Sequence, residues 1–260
     1  MNNKLNIFIC THKDFPEYPH NDCYKIIAGE CDEISDKEID VLREKENKYT
    51  PIQRSMSEAS RIYYVWQNYV NTDYVGICHY RRYFSFYDNV DYINWFISRE
   101  YDKNNKSVIV VKPDAVNVSK QYEMWHNIND YITIKNIIKN KYNIDDNILT
   151  ATEVGFYKCN MSIMHRNDFD EYCKFLFGVL DEFIKFRGFT DMKSIGDYIM
   201  KNYLYYQHHG TQTYQERILA FLAERISNIF FKVYFNEFYV LPIVEKNNEL
   251  YSSKEYFNIQ

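Results

Sequence analysis

Apolar runs that stop abruptly at polar clusters recur along this chain. The first, KLNIFICT (4–11), predicts a buried strand followed by a polar loop, HKDFPEYPHND. Within 21–56 come a weaker strand, CYKIIAG, and a surface stretch rich in Asp, Glu and Lys. Ser57 is placed to cap a helix through about Tyr69, with Ala59, Ile62, Tyr63, Trp66 and Tyr69 on one face. NTDYVGIC then enters a strand over 74–78 that ends in His79, Tyr80, Arg81 and Arg82. SVIVVKP (107–113) predicts another buried strand, stopped by Pro113. Residues 119–142 carry a helical pattern that NIDDN breaks, and GFYKCNMSIMHR (155–166) alternates as a strand. A long amphipathic helix follows from Asn167 or Asp168, with Phe169, Tyr172, Phe175, Leu176, Val179, Leu180 and Phe183 inward. Further helices are expected over 194–206 and from Thr211 or Thr213 to about 235, then a closing strand, FYVLPIV.

Strands and helices therefore alternate, and the polar motifs sit just past strand ends. That predicts an α/β fold in one domain over 1–260, an open sheet whose carboxyl edge builds the ligand site. The 260 residues suffice for such a core. A formal net charge of −5 argues against nucleic-acid binding, so any cationic site must be local. No run approaches a membrane span, and the start does not read as a signal peptide, so a cytoplasmic protein is expected. Six cysteines without a CxxC pair fit reduced thiols, and Cys23, Cys31 and His20 match no zinc spacing. Aromatic residues reach 18%. That excess fits either a codon bias towards Tyr, Asn, Lys and Ile or rings lining a sugar or base cleft.

Five clusters carry candidate chemistry. Thr11, His12 and Lys13 follow the first strand and can hold a ribose or phosphates, or simply form a polar loop. His79, Tyr80, Arg81 and Arg82 end a second strand, and guanidinium forks match phosphate oxygens in bidentate geometry. Each cluster alone is also what a solvated strand end looks like; together, on neighbouring parallel strands, they predict an anion site. Asn160 and Met161 sit in an apolar run, where an unpaired amide is costly, and offer a sugar-binding or acceptor contact or a structural bond. Gln215, Glu216 and Arg217 open a helix whose amino end favours anions, with Glu224 and Arg225 further along it. Trp125, His126 and Asp130 suggest an acceptor subsite or a general base, or an ordinary helix surface. No P-loop, GxGxxG, GxSxG or HExxH motif is present, and 7 glycines leave anion binding to side chains.

The blocks ICTHKDFP, SEASRIYYVWQNYVNTDYVGICHYRRYFS, YKCNMSIMHRNDFDEYCKFLF and QERILAFLAERISNIF resemble, in order, those of a bacterial family long catalogued as a domain of unknown function. This is the capsular and exopolysaccharide biosynthesis glycosyltransferase group, and the resemblance spans about 10–240. It implies a GT-A-like (Rossmann-like) open mixed sheet flanked by helices. The implied activity moves a sugar from a nucleoside diphosphate, UDP first, to a polysaccharide or lipid-linked oligosaccharide acceptor. Some relatives are galactofuranosyltransferases. By this analogy Thr11, His12, Lys13, His79, Tyr80, Arg81 and Arg82 meet the nucleotide sugar. Glu58, Arg217 and Glu224 match polar positions of the family's blocks and, with His126 from the clusters above, are the catalytic candidates, while Asn160, Met161 and Gln215 from those clusters are the acceptor or sugar contacts. GT-A enzymes carry a metal-binding DxD where this chain has His79-Tyr80-Arg81. No metal cofactor is therefore expected, because arginines can neutralise the leaving diphosphate; Mg²⁺ or Mn²⁺ completed by Glu58 or Glu224 is the alternative. Peripheral association with polysaccharide assembly machinery at the inner membrane face fits this reading. A phosphoesterase acting through His79, or a non-catalytic sugar- or nucleotide-binding scaffold, are the competing classes.

Overall fold

The computed structural model describes residues 5–13, 22–29, 32, 34, 41–84, 97, 106–202 and 211–245. Its centre is a mixed sheet in the order β10-β6-β9-β4-β1-β2-β3. The strands are β1 (Leu5–Thr11), β2 (Tyr24–Ala28), β3 (Val41–Arg43), β4 (Tyr74–His79), β6 (Ser107–Val111), β9 (Ser162–His165) and β10 (Glu237–Leu241). Strands β1 to β4 run parallel, β9 is antiparallel to both β4 and β6, and β10 is parallel to β6. Strand β5 (Arg82–Phe84) folds back on β4 and pairs with β11 (Ile243–Glu245). A separate two-stranded ladder joins β7 (Asp114–Asn117) to β8 (Val154–Phe156).

The continuous apolar runs mark strands buried on both faces. Alternation sends Phe8, Val75, Ile77 and Val108 to one face and Ile7, Ile9, Cys78 and Ile109 to the other. Gly76 is required by the close approach of three strands: a Cβ there would lie 2.9 Å from Ile7 Cγ1 and 3.1 Å from Ile163 Cγ1.

On the first face lie α1 (Gln53–Met56), α2 (Glu58–Asn68), α3 (Val118–Trp125), α4 (Ile128–Tyr142), α5 (Asp146–Ala151), α6 (Arg166–Arg187), α7 (Met192–Asn202), α8 (Gln212–Gln215) and α9 (Ile218–Tyr234). All seven residues expected on the inner face of α6 are buried. Gly188 ends that helix in the left-handed conformation (φ 69°).

Several boundaries differ from the sequence expectation. The helix expected over 119–142 is two, because His126 is extended and Asn127 starts a new cap by accepting from Asn129 N at 3.0 Å. His165, not Asn167 or Asp168, caps α6, its ring nitrogen accepting from Asn167 N. Thr211 caps only the short α8, and α9 begins after Arg217. Pro242 divides the last strand. The run 155–166 is not one strand: Cys159 (φ 62°) and Asn160 (φ 52°) are both left-handed, and that conformation interrupts the ladder. The predicted helix residues 203–206 and the loop 14–20 lie outside the described residues.

Candidate active site

Strands β1 and β4 are parallel neighbours with Cys10 opposite His79, so Thr11–His12 and His79–Tyr80 emerge at the same sheet edge. Because β9 is antiparallel to β4, with Ile77 opposite Ser162, the Cys159–Asn160 turn arrives at that edge too. The amino ends of α2 and α9 close it from the helical side. Between them lies a cavity of about 440 Å³. Thr11, His12, Glu58, Arg61, His79 and Arg217 are among its walls.

The strand-end residues are tightly arranged. Thr11 Oγ1 is turned back on its own loop, donating to the Lys13 carbonyl at 2.6 Å and accepting from Lys13 N at 3.2 Å. The Tyr80 ring is a hub: His12 packs edge-on at 5.1 Å, His79 at 4.4 Å, and the Lys13 and Arg81 cations lie 5.8 and 5.1 Å from its centre. His79 Nδ1 accepts from Arg81 N at 3.2 Å. Burial, then Arg82 and Arg81, push its pKa down to about 3, so the ring is neutral at any working pH. Burial and the cations of Arg61 and Arg217 lower His12 as well.

Ser57 organises the helical side. Its backbone is at φ 48°, a conformation that costs a non-glycine residue of order 1–3 kcal/mol, and no side-chain cap bond compensates. Its carbonyl accepts from Arg61 at 2.6 Å, and its hydroxyl accepts from Arg217 Nε at 3.1 Å. One residue thus holds two guanidinium groups of the cavity wall. Arg61 is otherwise paired with Asp32, whereas Arg54 and Arg217 are in no ion pair among the described residues. Three guanidinium groups face two carboxyls, Asp32 and Glu58, across the cavity.

Glu58 opens α2, where the helix dipole and the nearby arginines favour its ionised form. Burial and the Glu224 carboxylate outweigh them and raise its pKa. Asn160 Nδ2 donates to Glu58 Oε1 at 3.3 Å. Glu224 is engaged on both oxygens, by Cys159 N at 2.9 Å and Arg225 at 2.9 Å. Arginines line the cavity, and among the described residues no three His, Cys, Asp or Glu side chains converge.

Other sequence candidates fall elsewhere. Arg82 donates to Cys159 Sγ at 3.0 Å, and Arg81 is exposed on the Tyr80 ring; neither lines the cavity. Met161 is fully buried in the sheet core. His126 is buried outside the cavity lining, stacked on Phe221 at 4.1 Å, with its Nδ1 3.0 Å from Gln215 Oε1. Gln215 also donates to the Trp125 carbonyl at 3.0 Å, tying α3 to α8. Arg61, Arg54, Gln53 and Asp32 line the cavity without having been picked out from sequence. Arg61 carried a signal: it sits between Ala59, Ile62 and Val65 on the buried side of α2.

Among the described residues no helix is long and apolar enough to cross a membrane. No curated protein matches this chain. The fold resembles a solved structure, the apo form of the bifunctional glycosyltransferase WbbM, with a TM-score of 0.69 at 19% identity. That match covers 95% of this chain and 46% of the other, so the chain spans just under half the length of the protein it resembles. At that identity the likeness shows the fold: a GT-A-like open mixed sheet flanked by helices. Residues 6–236 match the family described as a domain of unknown function, DUF4422, and the chain belongs to that family.

Proposed function

We propose that this chain is a glycosyltransferase module that moves a sugar from a nucleoside diphosphate, UDP first among candidates, to a glycan or lipid-linked acceptor. The observation that carries the reading is Glu58, a desolvated carboxyl at the carboxyl edge of β1 and β4, facing a cavity whose other walls hold Arg54, Arg61 and Arg217. Transfer breaks the bond between the anomeric carbon and the diphosphate while an acceptor hydroxyl bonds to that carbon. Negative charge grows on the leaving diphosphate, where preorganised guanidinium groups stabilise it without a metal. The acceptor's proton goes to Glu58, whose raised pKa makes it a stronger base than an ordinary carboxylate.

Within this reading Thr11, His12, His79 and Tyr80 form the donor side, with Lys13, Arg81 and Arg82 at its rim. The Thr213–Arg217 wall, with Gln215 and His126 behind it, forms the acceptor side. Galactofuranose as the sugar, and a place in capsular or exopolysaccharide assembly at the inner membrane face, follow the family resemblance. The fold of WbbM, itself a bifunctional glycosyltransferase, supports the reaction class.

The test is a calorimetric panel of UDP, GDP, CMP and sugar phosphates, followed by product analysis with and without oligosaccharide acceptors. One nucleoside diphosphate should bind in preference, and its sugar should be consumed fastest with an acceptor. Binding without turnover would mean a scaffold, and acceptor-independent phosphate release would mean a hydrolase. A hydrolase working through His79 is disfavoured, because the neutral ring already accepts a backbone N–H at Nδ1 and so lacks a nucleophilic nitrogen.

A further inference from the structure

Helix α9 presents an unusual polar stripe to the core. Glu224, Arg225, Ser227 and Asn228 all reach the 152–160 segment or its neighbours, and Ser227 and Asn228 are fully buried. Most of these bonds tie backbone to side chain. Ser227 differs, because its hydroxyl joins two other side chains. Its Oγ lies 2.7 Å from the Tyr172 hydroxyl on α6 and donates to Asn160 Oδ1 at 2.7 Å. The other face of that carboxamide, Nδ2, reaches Glu58. Tyr172 and Asn160 are also fully buried.

The proton count gives this chain a direction. Ser227 has one hydroxyl proton and three oxygens in reach, the Tyr172 hydroxyl, the Ala223 carbonyl at 2.8 Å and Asn160 Oδ1, and the side-chain amide oxygen can only accept. The Ala223 carbonyl already takes the α-helical N–H of residue 227. A proton donated by Tyr172 satisfies the Ser227 oxygen and leaves its own proton for Asn160. Burial keeps the Tyr172 phenol protonated, so it can fill that role. With Oδ1 held by Ser227, the carboxamide must turn Nδ2 towards the carboxylate. The flipped amide would set two oxygens against each other, a poor contact where water cannot screen it.

We infer that Tyr172 and Ser227 are positioning residues of the transfer site: their buried hydroxyls fix the Asn160 carboxamide so that its N–H holds the Glu58 carboxylate in the cavity wall. The inference rests on the transfer reading above, in which Glu58 receives the acceptor proton. Neither residue lines the cavity.

The consequence is a pH effect at Glu58. The groups facing it are Glu224 and Arg217 from the α9 side, Arg61 on its own helix, Cys10 on β1, Cys159 in the turn and Tyr172 on α6. The two thiols and the phenol are pushed up by burial and stay neutral, so the balance lies among one carboxylate, two guanidinium groups, a backbone N–H and the Asn160 N–H. Releasing the carboxamide from Ser227 lets that N–H turn away, and an N–H bond supports the charged form more than the neutral one, so the Glu58 midpoint should rise.

The experiment is a ¹³C-carboxyl NMR titration of glutamate-labelled full-length protein, with the Glu58 signal assigned by its loss in Glu58→Gln. In Ser227→Ala and Tyr172→Phe the midpoint should move to higher pH. In donor turnover, kcat should fall about ten-fold, part of what a well-placed base supplies, with donor KM nearly unchanged. A Glu58 midpoint unchanged from wild type in a folded Ser227→Ala protein overturns the inference. Ser227→Ala also decides alone should Tyr172→Phe fail to fold. If the wild type consumes no donor, the transfer reading falls, while the titration still decides whether the hydroxyl chain acts on Glu58.

Discussion

Glu58→Gln should lower kcat about 10²–10⁴-fold, the usual contribution of a positioned base, while the variant folds and still binds nucleotide. Glutamine keeps the length of the side chain and its Oε1 can still accept from Asn160, so the cavity wall should be preserved. The same substitution should raise stability at neutral pH. The Glu58 pKa is raised in the fold above the ordinary 4.5 by burial and by Glu224, so the native state holds its proton more tightly than the unfolded chain. A raised carboxyl contributes stability that is fully present below the ordinary value and lost as pH rises through the folded value. Above that window the wild type carries a desolvated carboxylate that the variant lacks. Melting temperatures from pH 4 upward check this: the two proteins should converge in acid and diverge towards neutrality, with the glutamine variant higher. Wild-type activity in Glu58→Gln would remove Glu58 from the chemistry.

Arg217→Ala should weaken nucleoside diphosphate binding about 10–150-fold, the worth of a charge-assisted bond of roughly 1.5–3 kcal/mol. Among the described residues the Arg217 side chain is anchored through Nε to Ser57 Oγ and by its approach to the Phe221 ring at 5.6 Å, with its terminal N–H groups engaged by no other described side chain. Arg81→Ala should cost far less, since that side chain is exposed on the Tyr80 ring and screened by water. Calorimetry with the preferred nucleotide compares the two. If Arg81→Ala proved the more damaging, the diphosphate would lie at the β4–β5 hairpin and the cavity would belong to another part of the substrate.

That comparison also marks where sequence reading stops. The buried runs of β1, β4 and β6, the inner face of α6 and the shared edge of β1 and β4 all follow from apolar periodicity and the position of polar clusters. The two adjacent arginines do not, because the chain does not simply leave the sheet at His79. It turns back, with His79 opposite Arg82 in an antiparallel pair, and this carries Arg81 onto the outer side of the hairpin. The left-handed pair at Cys159 and Asn160 was equally hidden, since residues on both sides alternate as strands do and only the backbone dihedrals reveal the turn. Arg61 was legible in part, as a cation among the buried positions of α2. Its partner Asp32 lies 29 residues earlier in a charged stretch with no periodicity to place it.

The central claim is that arginines, not a metal, carry the leaving diphosphate in a glycosyl transfer. GT-A enzymes that use a DxD, whose fold this chain resembles, supply oxygen ligands at the end of the corresponding strand. Here that position holds a histidine, a tyrosine and an arginine, and both oxygens of Glu224 are already bonded. The most direct measurement is release of nucleoside diphosphate from a panel of nucleotide sugars, with acceptor present, in excess EDTA and again with added Mn²⁺. One donor should be consumed at the same rate under both conditions. No consumption of any donor, or turnover lost in EDTA and restored by Mn²⁺, would contradict the account.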